Sequence, residues 1–356
     1  MRVSLLPGSA GRREFNCFPP CLMILMARRA ALLAPFGLLI VAALCAESPP
    51  TVPADTLPKE LPLDKVPLGL GARPAATDNP LTPARVALGR RLFFDPILSH
   101  DNTVACASCH RPDHGFSSPD ARPRGIGGRE AARRAPTLFN RAYGTAFFWD
   151  GRAGSLEEQA LEPIANPNEM GSSVPDAVAR LKADAGYKER FTAAFDDGVT
   201  SANLGKALAS FERVLLRGDS PVDRFRQHGE RSAMTSAELH GLWLYESKGQ
   251  CWRCHSGPNF TDEGFHNTGV SWGGMDLGRH AVTRKDADRG KYKTPTLRGV
   301  KLTGPYMHDG SVKSLEDVVE FYNRGGGANP NLDPVVRPLN LSKEELADLV
   351  AFLKAL

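Results

Sequence analysis

The chain has 356 residues, 42% of them hydrophobic and 24% charged. At about 150 residues per domain that length predicts two domains, and the balance excludes a disordered, a collagen-like and a polytopic membrane protein. The net charge of +4 and the pI of about 8.7 come with acids and bases interspersed, which argues against a nucleic-acid partner.

In chain order the first element is an export signal. Arg28-Arg29 precedes an apolar run from Ala30 to Leu44, then Cys45-Ala46-Glu47. Residues 1–46 therefore read as a secretory signal cleaved near Ala46. A start at Met23 or Met26 would give a more usual charged region. Cys45 as a lipid-bearing cysteine is disfavoured by bulky Leu44. The run is short for a membrane span, so the mature chain is expected in the periplasm with no integral membrane domain.

Residues 47–75 are Pro-rich and predict an irregular N-terminal arm. Thr82 caps an amphipathic segment that runs to Phe94. Helix-compatible apolar spacing follows at Ala177–Phe195 and Leu204–Leu216. The polar stretch Gly218–Arg231, with Pro221 and Gly229, predicts the domain boundary, giving domains at 76–220 and 221–356. A second capped segment runs from Thr235 to Tyr245. Ser342-Lys-Glu-Glu345 is a capping box before Leu346–Leu356. β-rich runs are few, so the expected fold class is mainly α.

Cysteine usage decides the chemistry. Of the seven cysteines, Cys17, Cys21 and Cys45 fall within the signal. The rest form two pairs, each followed by histidine: Cys106-Ala-Ser-Cys109-His110 and Cys251-Trp-Arg-Cys254-His255. CxxCH is the c-type haem attachment signature. Two thiols add across the haem vinyl groups, and the adjacent imidazole binds iron. A structural zinc site would want its pairs about 15–20 residues apart, far closer than these. A thioredoxin-like pair would not need the histidine twice. Two covalently bound haem c groups are expected.

The two halves repeat each other. Pro136-Thr-Leu138, Trp149-Asp-Gly151 and Ser155-Leu-Glu157 recur as Pro295-Thr-Leu297, His308-Asp-Gly310 and Ser314-Leu-Glu316, with the same offsets between them. The expected architecture is two tandem cytochrome c-like domains related by internal duplication. His110 and His255 would each fill one side of an iron. The sixth position decides between electron transfer and peroxide chemistry. If Tyr322 binds the second iron, the register of the repeat sets Pro163 opposite it in the first half, and proline cannot bind iron. The first haem would then keep an open side.

These motifs resemble the bacterial dihaem cytochrome c peroxidase family, and within it the MauG-like subgroup, over about residues 76–356. The resemblance rests on Leu92-Phe-Phe-Asp-Pro96 before the first CxxCH, Phe148-Trp149-Asp-Gly-Arg152, Leu156-Glu-Glu-Gln159, Pro163 and Glu169-Met-Gly171. It rests equally on Pro305-Tyr-Met-His308-Asp-Gly-Ser311 and Leu315-Glu-Asp-Val-Val-Glu-Phe-Tyr322. It implies a peroxidatic first haem and an electron-relaying second haem. It makes Glu169 the acid–base for O–O cleavage, Gln159 and Pro163 its distal neighbours, and Trp149 the relay between haems. His308, the counterpart of Trp149, is expected against the cofactor.

Taken one at a time, Glu169 could be a loop surface charge, Gln159 an exposed helix residue and Trp149 a core aromatic. Tyr322 stands where many family members carry methionine and the MauG-like ones carry tyrosine; Met307 and His308 remain alternative ligands. An anionic oxygen ligand lowers the haem potential. No histidine lies in the loop Arg122–Arg134, and His114 sits too close to His110 to cap the open side. His228, His240, His266 and His280 read as solvated or structural.

The family also implies one calcium ion, with Thr303 and Pro305 at the carbonyl positions. The asparagine expected near Pro136 is Arg134 here, a cation beside a cation. The implied activity is an exported peroxidase-type oxidoreductase acting on hydrogen peroxide. Its electrons come from a small periplasmic donor (a cytochrome c or a cupredoxin) or from side chains of a partner protein, as in MauG. The alternative is a non-catalytic dihaem electron carrier, which predicts two six-coordinate irons and no use for Glu169.

Overall fold

The computed structural model describes residues 63–270 and 272–356. The export signal and most of the Pro-rich arm lie outside them. Among the described residues the chain is mostly helical, and no helix is long and apolar enough to cross a membrane.

The first helix, α1 (Pro83–Phe94), starts where Thr82 accepts a hydrogen bond from the Arg85 amide and Pro83 pre-sets the first turn. A single turn, α2 (Cys106–Cys109), carries the first cysteine pair. Then come α3 (Leu156–Ala165), α4 (Val174–Ala183), α5 (Ala185–Ala194) and α6 (Ser201–Glu212). The second half holds α7 (Pro221–His228), α8 (Ser236–Glu246), the short α9 (His280–Thr283), α10 (Leu315–Asn323) and α11 (Lys343–Lys354). The only sheet among the described residues pairs β1 (Phe265–His266) antiparallel with β2 (Tyr292–Lys293).

Two hydrophobic cores organise these elements. One gathers buried residues from Val86 to Leu215, the other from Val222 to Leu356. Each is built on a close helix crossing at a glycine. A Cβ on Gly89 of α1 would lie 1.9 Å from the Ala207 carbonyl of α6, and one on Gly241 of α8 would lie 2.0 Å from the Asp348 carbonyl of α11. The absent side chain lets two backbones touch. In both halves the helix that crosses at the glycine leads towards a cysteine pair.

One expectation needs correction. The segment Ala177–Phe195 is two helices, α4 and α5. Asp184 ends the first and caps the second, its Oδ1 accepting from the Tyr187 amide at 2.8 Å. The apolar period runs through this break because both helices bury the same side, so periodicity alone hides it. The polar stretch 218–231 holds α7, opened by a capping box between Ser220 and Asp223. Its Asp223 meets Arg298 in a fully buried ion pair, and Arg298 also donates to the Gly69 carbonyl at 2.9 Å. The end of the Pro-rich arm is thereby tied to the second core.

Candidate active site

The first cavity, of about 850 Å³, is lined in part by Cys106, Cys109 and His110. The turn of α2 sets both thiols on one short stretch, and His110 follows as its C-cap. Nδ1 of His110 lies 3.0 Å from the Phe116 carbonyl. A ring nitrogen beside a carbonyl carries the proton, so Nε2 keeps its lone pair for a metal. Burial also lowers the His110 pKa, which keeps the ring neutral.

The lining also includes residues of α3 and the loop after it. Gln159 and Pro163 stand one turn apart on α3, and both line the cavity with Asn166 and Glu169. Pro163 sits inside the helix and withholds one helical hydrogen bond. Asn166 donates to Oε1 of Glu169 at 2.7 Å. Burial raises the Glu169 pKa, opposed by Arg152 and by Asn166. The Ile126 amide donates to the Glu169 carbonyl at 2.7 Å, so the histidine-free loop 122–134 clasps this segment.

The second cavity, of about 220 Å³, is lined by Cys251, Cys254, His255, Met307, His308 and Tyr322. His255 repeats the His110 arrangement, with Nδ1 3.1 Å from the Phe260 carbonyl and a pKa that burial pushes down to about 4. Phe116 and Phe260, which supply the two carbonyls, both adopt positive φ, at 54° and 50°. Tyr322 reaches the cavity from α10, and burial pushes its phenol up to about 12.

Five residues line both cavities: Arg134, Pro136, Thr137, Trp149 and His308. Trp149 is pinned at both ends. Its indole Nε1 donates to the Arg134 carbonyl at 2.8 Å, and its own carbonyl accepts from the Lys293 amide at 2.8 Å. The Trp149 and His308 rings lie edge to face at 6.4 Å, and Tyr292 stacks on His308 at 3.5 Å.

Residues 83–232 match the family of dihaem cytochrome c peroxidases. The chain is 45% identical over 282 residues to the methylamine utilization protein MauG of Methylorubrum extorquens, covering 78% of this chain and 79% of that one. It is 36% identical over 274 residues to the cytochrome c551 peroxidase of Nitrosomonas europaea, covering 76% and 78% of the two chains. The crystal structure of a MauG-like protein associated with microbial copper homeostasis superposes with a TM-score of 0.74 at 32% identity, over 84% of this chain and 95% of that one.

The chain belongs to the dihaem cytochrome c peroxidase family. It is therefore a dihaem peroxidase-type oxidoreductase, and two haems are its implied cofactors. The residues present fit that cofactor. Each of the two cavities brings together a pair of free thiols and a neutral imidazole with one nitrogen occupied. Burial pushes the Cys109 and Cys251 thiols up to about 12, so neither ionises near neutrality.

Of the residues expected at a family site, Cys106, Cys109, His110, Gln159, Pro163 and Glu169 line the first cavity, and Trp149 and His308 line both. Thr303 lines the second, whereas Pro305 lines neither. His114 also lines neither and lies beside Asp113.

Other residues escaped the sequence reading. His266, expected to be solvated or structural, lines the second cavity between Asp262 and Asp333, at 2.9 and 2.7 Å. Hydrogen bonding to Cys254, then to those two carboxylates, holds its pKa up at about 10. Glu212 at the end of α6 is buried in the first cavity, and burial pushes its carboxyl up to about 8. Neither residue carries a motif. Only the fold brings them to the site.

Proposed function

We propose that the chain is an exported, MauG-like dihaem c-type peroxidase. Cys106 and Cys109 attach the first haem and Cys251 and Cys254 the second, with His110 and His255 as iron ligands. Tyr322 is the second ligand of the second haem. The reading rests most on one asymmetry: Tyr322 lines the second cavity, while Pro163 stands at its repeat counterpart in the first. Paired geometry supports the internal duplication behind that comparison. Phe148 and Met307, which precede Trp149 and His308, both adopt positive φ, and Ser155 and Ser314 cap corresponding helices.

Haem, when bound, supplies the iron that takes up peroxide and passes electrons. The protein moves the protons. Glu169, with Oε1 held by Asn166 and its pKa raised by burial, would take up and give back the proton that peroxide chemistry in the first cavity needs. Gln159 orients the incoming peroxide, and Pro163 keeps that face free of a competing ligand. Trp149, which lines both cavities, would be the side chain that couples the two haems. Each peroxide takes up two electrons and two protons and gives two waters. The electrons come from side chains of a partner protein or from a small periplasmic redox donor; Tyr322 and the histidine-free loop favour the partner protein.

The role of Glu169 is tested by peroxide consumption with the holoprotein. Glu169→Gln should lower kcat by about 10²–10⁴-fold with unchanged haem content. It should also remove the acid limb of the pH profile, which in the native enzyme lies above the usual carboxylate range because burial raises the Glu169 pKa. Unchanged turnover in this variant would overturn the assignment.

A further inference from the structure

Arg133 and Arg134 are neighbours in sequence with opposite electrostatic fates. Arg133 is neutralised twice, by Asp150 at 2.8 Å and by Asp276 at 2.6 Å. Arg134 is buried, at 4% exposure, and no carboxylate among the described residues pairs with it. Its Nη2 donates to two carbonyls, those of Ser118 at 2.9 Å and of Thr303. Its Nε is buried with no partner. Burial pulls its pKa down to about 10, relieved only by Tyr306. A guanidinium keeps its charge in proteins, and a buried charge without a counter-ion is strongly unfavourable. A guanidinium placed in this way calls for an anionic partner.

The calcium implied by the family does not fit there. Calcium takes about 6–8 oxygen ligands. The Thr303 carbonyl, one of its two expected donors, already accepts the Arg134 guanidinium. A divalent ion on that carbonyl would sit against a fixed positive charge that no carboxylate among the described residues pairs with.

We propose that Arg134 is a built-in cation that takes the place of calcium between the two cavities and pairs with a haem propionate. Haem carries two carboxylates, the charge that the guanidinium lacks, and Arg134 lines both cavities. The same residue holds the relay. Its carbonyl accepts from Trp149 Nε1 at 2.8 Å, and its amide donates to the His308 carbonyl at 2.9 Å. Arg134 is thus a positioning residue that sets the charge beside the haems and fixes the aromatic pair between them. This assignment rests on the haem-binding reading above, but not on peroxide turnover.

The first test uses the native holoprotein. Calcium measured by elemental analysis should be far below one per chain, and EGTA should leave the thermal midpoint unchanged. One tightly held calcium per chain, whose removal lowers the midpoint, would overturn the proposal.

The second test is potentiometric titration of Arg134→Gln against Arg134→Lys, with haem content measured separately. Removing a cation beside a propionate should lower the reduction potential of that haem, and lysine should restore part of it. A fall confined to the first haem, or to the second, assigns the propionate to that haem. Unchanged potentials in fully loaded Arg134→Gln would overturn the pairing. If that variant loses haem, the calcium and EGTA measurements on the native protein decide. A native protein that shows these properties yet consumes no peroxide would overturn the proposed function and leave the Arg134 assignment standing.

Discussion

Glu212 and Glu169 are both buried carboxyls at the first cavity, yet their surroundings part them. Glu169 has Asn166 on one oxygen and Arg152 nearby, whereas Oε2 of Glu212 has no partner. Burial raises the Glu212 pKa from 4.5 to about 8, so the native state holds its proton across a range where the unfolded chain has released it. Its contribution to stability is full below the unfolded value and is lost as pH rises through the folded one. Urea unfolding should therefore show the native protein weakening between about pH 5 and about pH 9, and Glu212→Gln should flatten that decline. An equal slope in both proteins would contradict it.

The same scale shows what a sequence can carry. Cys106, Cys109 and His110 declare themselves because their chemistry is local, three groups on one turn. Arg134 is marked in the sequence only as a departure from the family's asparagine, because its contact with the distant Thr303 carbonyl comes from the fold. His266 is set between Asp262 and Asp333, and Asp333 is far along the chain.

At the scale of elements, caps were legible and breaks were not. Thr82, Thr235 and Ser342 cap α1, α8 and α11 as their side chains predict. Asp184 was missed because one residue serves as the end of α4 and the cap of α5, inside an unbroken apolar pattern. The glycine crossings were also hidden, since nothing in a sequence says that a helix glycine meets a backbone. Gly89 is decisive for the first core. An added methyl would meet the Ala207 carbonyl at 1.9 Å, and backbone cannot swing aside as a side chain does. Despite alanine's higher helix propensity, Gly89→Ala should destabilise the protein by about 1–3 kcal/mol in urea unfolding. A stabilised variant would show that α1 and α6 are free to separate.

For the whole molecule, the sequence announced two cysteine–histidine sites and an asymmetry between them. The resemblance offered Trp149 as the relay between them, but not the contacts that hold it. The junction consists of buried polar contacts: Trp149 held by Arg134 and Lys293, and the Arg298–Asp223 pair that fastens α7 to the arm at Gly69. Removing one partner of a buried pair strands the other charge. Asp223→Ala should lose about 3–5 kcal/mol of stability by urea unfolding, and a loss below about 1 kcal/mol, the range of exposed pairs, would contradict the burial of Arg298.

The central claim is that the first cavity is open to peroxide while the second is closed by Tyr322, with Trp149 joining them. The most direct test is to add hydrogen peroxide to the fully oxidised holoprotein, with no reductant present, and follow the absorption of both haems. The proposed function predicts an immediate change at both. No change until one haem has been reduced would reveal a ligand that blocks the first haem, and would contradict the account.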